Sequence, residues 1–131
     1  MSNTADIANI IRQQIGAGVF MSLGARNLRH GSIAALPDAE ALPSLTFEAT
    51  ILPMTKSGQR ASAARTMRVT VGLNASDYYD IAVTYPQRGD RYGLKDPVIH
   101  LSLQDVDCEQ LARTLLALDY NGEEVLNPRY V

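Results

Sequence analysis

The side chains of this chain best suited to chemistry are cations that have no acids beside them. Between Glu48 and Asp77 the sequence carries Lys56, Arg60, Arg65 and Arg68 and no Asp or Glu. Ten of the twelve basic residues are Arg, whose planar fork suits bidentate contact with carboxylate or phosphate. The span from Pro53 to Ala64 is longer than a hairpin needs, and long loops on rigid scaffolds often carry function. A second span, Pro86 to Pro97, mixes Arg88, Arg91 and Lys95 with Tyr92, Asp90 and Asp96, and Arg and Tyr make good interface anchors. The candidate binding residues are therefore Lys56, Arg60, Arg65, Arg68, Arg88, Arg91 and Tyr92, with phosphate or protein carboxylates as their counterpart.

Catalytic chemistry has less to stand on. His30, His100 and Cys108 could supply a base and a nucleophile or part of a metal set, but no local spacing supports either. His100 reads as a half-buried sheet residue and Cys108 as a small apolar contact at a helix start. Asp77 and Asp80 are explained by a turn end and a solvent-facing strand position. There is no phosphate-cradling glycine loop, no nucleophile elbow and no close pair of metal ligands. The expectation is a noncatalytic protein with no cofactor and no metal.

Periodicity supplies the elements that must position these groups. Ile7, Ile10, Ile11 and Ile15 share one face of a helix over 5–15. Asn3 or Thr4 can cap its start, and Gly16 and Gly18 can end it. Gly16 to Leu28 is ambiguous, since Val19, Phe20, Met21 and Leu23 could form a short buried strand between glycines that mark turns, and 32–43 reads as a small-residue linker broken by Pro37 and Pro43, with room for one helical turn. The period then becomes two. Leu45, Phe47, Ala49 and Ile51 mark one strand, Met67, Val69, Val71 and Leu73 a second, and Tyr79, Ile81, Val83 and Tyr85 a third. A fourth strand places Ile99, Leu101 and Leu103 on one face. A second helix over 108–118 has Asp107 as its natural N-cap and Leu111, Leu115 and Leu118 as its buried stripe. Helix, three or four antiparallel strands, helix predicts one two-layer α+β domain over 1–131, with the helices on one sheet face.

Composition bounds the rest. A chain of 131 residues can bury a real core without staples, and a single cysteine excludes an internal disulfide and fits the cytoplasm. No stretch reaches the roughly 18 apolar residues of a membrane span. The net charge of −2 divides unevenly: residues 1–99 carry ten basic against eight acidic residues, and 100–131 carry two against six. A dedicated duplex-binding domain would be basic overall. The order of elements invites comparison with double-stranded RNA-binding domains, yet those place cations around the last helix, where this chain has Asp105, Asp107 and Glu109.

A closer resemblance lies in two segments. Ile10 to Leu28, IIRQQIGAGVFMSLGARNL, resembles the opening of short uncharacterised open reading frames from phages and integrated mobile elements, with Phe20, Met21, Leu23, Gly24, Ala25, Arg26 and Asn27 in the matching positions. Met67 to Ile81, MRVTVGLNASDYYDI, resembles their strand, turn and strand. The likeness extends from Ile10 to about Tyr120, with interruptions at 31–43 and 53–64. That group carries no established activity, so no functional residue transfers. The resemblance implies a small accessory protein in a bacterial host cytoplasm. It would bind a host protein or complex, for instance as an anti-CRISPR or other inhibitor of bacterial defence. The alternatives are a nucleic-acid-binding accessory protein using the basic strip 56–68, and a minor phage virion component. A Thr-rich open strand leaves homo-oligomer formation open.

Overall fold

The computed structural model describes residues 4–36, 39–51, 65–86, 97–116 and 118. Among these the chain forms α1 (Thr4–Ile15), α2 (Ala17–Leu23), β1 (Arg26–Ile33), β2 (Leu42–Ile51), β3 (Arg65–Leu73), β4 (Tyr79–Tyr85), β5 (Val98–Val106) and α3 (Cys108–Leu116). The strands make one antiparallel sheet in the order β1-β2-β3-β4-β5, so each strand pairs with its neighbours in sequence. The helices form a second layer on one face. The predicted α+β architecture is present, with five strands where the sequence reading expected three or four.

The core follows from the two periodicities. Leu45, Phe47, Ala49 and Ile51 of β2, Met67, Val69 and Val71 of β3, and Tyr79, Ile81 and Val83 of β4 are buried beneath Ile11 and Ile15 of α1 and Leu111 and Leu115 of α3. Phe20 of α2 meets Phe47 edge to face, with ring centroids 5.2 Å apart, a geometry that the ring quadrupoles favour. Asp107 caps α3 as expected: its carboxylate accepts from the Gln110 N–H at 2.9 Å.

One open reading is decided and three are corrected. The ambiguous segment Val19 to Leu23 belongs to the helix α2: Gly16, at φ 88°, ends α1 and lets the chain restart, and Gly18 lies inside the second helix. Four apolar residues between glycines fit either element, and packing of Val19 and Leu23 into the core decided it. The proposed linker 32–43 instead contributes the end of β1 and the start of β2, with Ser32 opposite Pro43 and Ile33 opposite Leu42. Proline is tolerated there because Pro43, the second residue of β2, precedes the pairing with β3, which begins at Ser44. Ile99 does not share a face with Leu101 and Leu103. An irregularity in the β4–β5 register sets Ile99 opposite Thr84 while Leu101 opposes Val83, and Ile99 is exposed; one extra residue in a strand reverses facing beyond it. Cys108 is exposed rather than packed.

Candidate functional site

The sheet face away from the helices carries the chemistry. Along β2 and β3 its floor is made of short side chains. Ser44, Thr70, Ala82 and Thr84 point to this face, yet all four are buried. The hydroxyls of Ser44 and Thr46 turn inward: Ser44 Oγ donates to the Leu42 carbonyl at 2.7 Å, and Thr46 Oγ1 donates to the Val69 carbonyl at 3.0 Å and lies 3.2 Å from Thr70 Oγ1. Gly72 completes the floor, and a Cβ there would sit 2.8 Å from Ser44 Oγ and 3.1 Å from Leu42 Cβ. The glycine therefore lets β2 and β3 pack closely at this point.

A cleft of about 460 Å³ opens above that floor, walled by Leu36 and Leu42 on one side and by Ser102 to Gln104 of β5 on the other. At its rim, Asn74 holds two carboxylates. Its amide Nδ2 donates to Asp80 Oδ1 at 2.9 Å and to Asp105 Oδ1 at 2.8 Å, while its Oδ1 accepts the backbone N–H groups of Ser76 and Tyr78. The Asp105 N–H also donates to Asp80 Oδ1 at 3.2 Å. Asp105 sits at φ 58°, within the β4–β5 register irregularity. With Glu40, the cleft's described lining holds three acids and no Lys, Arg or His. Such a cleft can neutralise an ammonium or guanidinium group. Among the described residues no three His, Cys, Asp or Glu side chains group to hold a metal ion.

The other end of the same face is cationic. Arg26, Arg29 and Arg68 surround Glu48 there, as the register pairs Arg26 with Glu48, Arg29 with Thr46 and Glu48 with Arg68. Arg26 is held by Glu48, with Nε 3.5 Å from Oε2, and by Thr66 at 2.8 Å. The charges on this face are segregated along the strands.

Of the predicted binding residues, Lys56, Arg60, Arg88, Arg91 and Tyr92 lie outside the described residues. Arg65 and Arg68 are described, and they do not form one strip. Three residues apart on a strand, they face opposite sides. Arg68 lies on the open face. Arg65, opposite the buried Ile51, stacks its guanidinium 4.3 Å from the centroid of the Tyr85 ring, a cation–π contact. The described strand ends Ile51, Arg65, Tyr85 and Val98 lie together at one end of the sheet, where Ile51 pairs with Arg65 and Tyr85 with Val98. His30 accepts or donates a hydrogen bond with Thr4 Oγ1 at 2.9 Å, and His100 is half-buried.

The sequence reading missed the edge of the sheet. Among the described residues strand β1 pairs only with β2, and its residues are mostly exposed. Between it and the helices run two adjoining hollows of about 630 and 300 Å³ that share Asn9, Arg12 and Leu28. Met21 and Leu28 are exposed there at 54% and 38%. A signal was present, since Arg26, Leu28 and His30 alternate with Asn27 and Arg29, but no apolar face announced a strand. Set against models of protein families, curated proteins and solved structures, the chain matches none. No described helix is long and apolar enough to cross a membrane.

Proposed function

We propose that this protein is a noncatalytic accessory factor of the phage or mobile-element kind that acts by occupying the surface of a bacterial host protein, such as a component of a defence complex. The observation supporting this reading is the β1 edge, where exposed Met21 and Leu28 lie beside Arg12 and Arg29, neither of which has a hydrogen-bond or ion-pair partner among the described residues. Apolar contact area beside arginine is the composition of a protein interface. A nucleic-acid role through the 56–68 strip gains less support, because Arg65 and Arg68 face opposite sides and the charge of −2 gives no general attraction to phosphate.

The reading is tested by pulling down tagged protein from bacterial lysate with and without nuclease, then identifying the proteins and any nucleic acid recovered. A stoichiometric protein partner that survives nuclease treatment is expected. Recovery of nucleic acid alone, lost in moderate salt, would overturn the reading in favour of the basic strip.

A further inference from the structure

From the β1 edge we infer the form of the partner, resting on the reading just given: the groove between β1 and α1 takes an extended protein segment in which acidic and apolar residues alternate, added to the sheet as a sixth strand. Three features converge. First, β1 is an edge strand whose outer side pairs with no described strand. An edge strand presents unpaired N–H and C=O groups, which are a template for another strand. Its stretch from Arg29 to Ile33 follows the irregularity between Arg26 and Arg29, so five residues are regularly paired on the inner side and extended.

Second, the edge has apolar hollows beside it. In an added strand alternate side chains point to the two faces of the sheet. Those on the helix side would enter the space bounded by Ala8 of α1, Met21 of α2 and Leu28 of β1. Third, the charges there have one sign. Arg12 stands over the groove from α1, and Arg29 projects from β1 on the open face, opposite Thr46. No acid lines either hollow among the described residues. An incoming strand whose apolar residues enter the helix-side hollow presents its carboxylates on the open face, where they meet Arg29, while Arg12 adds positive potential from the helix side.

The same charges disfavour a second copy of this chain as the occupant. Antiparallel self-pairing of β1 would bring Arg26, Arg29 and His30 of two copies onto one short ribbon, and like charges across strands repel. A helical occupant would leave the edge backbone groups unpaired.

The test titrates the full, isotopically labelled chain with an acetylated, amidated octapeptide alternating valine and glutamate, and with its lysine counterpart, followed by amide NMR and hydrogen exchange. The glutamate peptide is expected to bind, and the lysine peptide about tenfold more weakly or not at all. On binding, alternate β1 amides between Leu28 and Ile33 should gain exchange protection. The double variant R12E/R29E changes only exposed side chains, and its folding is verified by its own amide spectrum; it should reverse the preference. Equal binding of both peptides, protection gained elsewhere, no binding, or protection of β1 amides by self-association without peptide would each overturn the inference. The lysate experiment separates the two proposals. A host partner held equally well by R12E/R29E sinks the groove while the accessory-protein reading stands. Peptide binding as described without any host partner does the reverse.

Discussion

Replacing Asn74 by Asp keeps the size and shape of the side chain and inverts its hydrogen bonding, which makes it a sharp test of the carboxylate pair at the cleft. The backbone N–H groups of Ser76 and Tyr78 can still be accepted by Oδ1. The two donations, to Asp80 at 2.9 Å and Asp105 at 2.8 Å, become contacts between carboxylates. Hydrogen bonds to charged acceptors contribute about 1.5–3 kcal/mol each when shielded. Asn74 and Asp80 are half-buried and Asp105 is exposed, so screening by water reduces the two together to about 2 kcal/mol. The new repulsion adds about 1 kcal/mol in a largely solvated setting. Asn74→Asp should therefore cost about 3 kcal/mol at pH 7 and low salt. The repulsive part of that cost should shrink in 1 M salt, where charges on partly exposed groups are screened. Urea unfolding at low and high salt, with equal slopes for wild type and variant, measures it. A loss within about 0.5 kcal/mol at low salt, the range of an ordinary surface change, or a loss that grows in 1 M salt, would refute the assigned network.

Two further outcomes are expected elsewhere in the core. Tyr79 donates its phenol to Gln14 Oε1, and burial, then the nearby Cys108, raises its pKa above the ordinary 10.0. Its neutral form is thus favoured in the fold. Above pH ~10 the unfolded chain releases this proton first, so stability should fall as pH rises through that value. Tyr79→Phe should lose about 1 kcal/mol at pH 7 but show a shallower decline in thermal melts between pH 9 and 11; an identical slope would remove Tyr79 as its source. Ser22 is fully buried in α2, and its hydroxyl has no hydrogen-bond partner among the described residues. Ser22→Ala should raise stability by about 1 kcal/mol in denaturant unfolding, and a loss of that size would show that the hydroxyl is satisfied.

Strands whose two faces differ in polarity were readable from sequence. Leu45 to Ile51, Met67 to Leu73 and Tyr79 to Tyr85 alternate because one side meets the helices and the other does not. Strand β1 escaped notice because an edge strand with Arg26, Arg29 and His30 has little apolar periodicity, and pairing with β2 rather than its own side chains holds it extended. The facing of Ile99 was hidden for another reason: a register irregularity is set by the neighbouring strand, and period two cannot reveal a skipped residue. The same applies to the cleft. Asn74 and Asp80 are close in sequence and a turn was legible there, but the approach of Asp105 depends on how β5 lies along β4. Arg65 and Arg68 could have been separated by parity alone; grouping them by charge overlooked that neighbouring cations on a strand need not share a surface.

The order of the helical layer bears on how the chain completes its fold during synthesis. Each strand finds its partner next in sequence, so pairings form between neighbouring segments of the chain and at modest entropic cost. The layer that covers the sheet is assembled differently: α1, near the start, packs against α3, more than ninety residues later. Until Leu111, Leu115 and Leu118 have left the ribosome, Ile11 and Ile15 lack part of their covering and the apolar side of the meander stays partly open. A nascent chain stalled before α3 would thus hold a formed sheet with an unsealed face, the kind of intermediate that recruits chaperones.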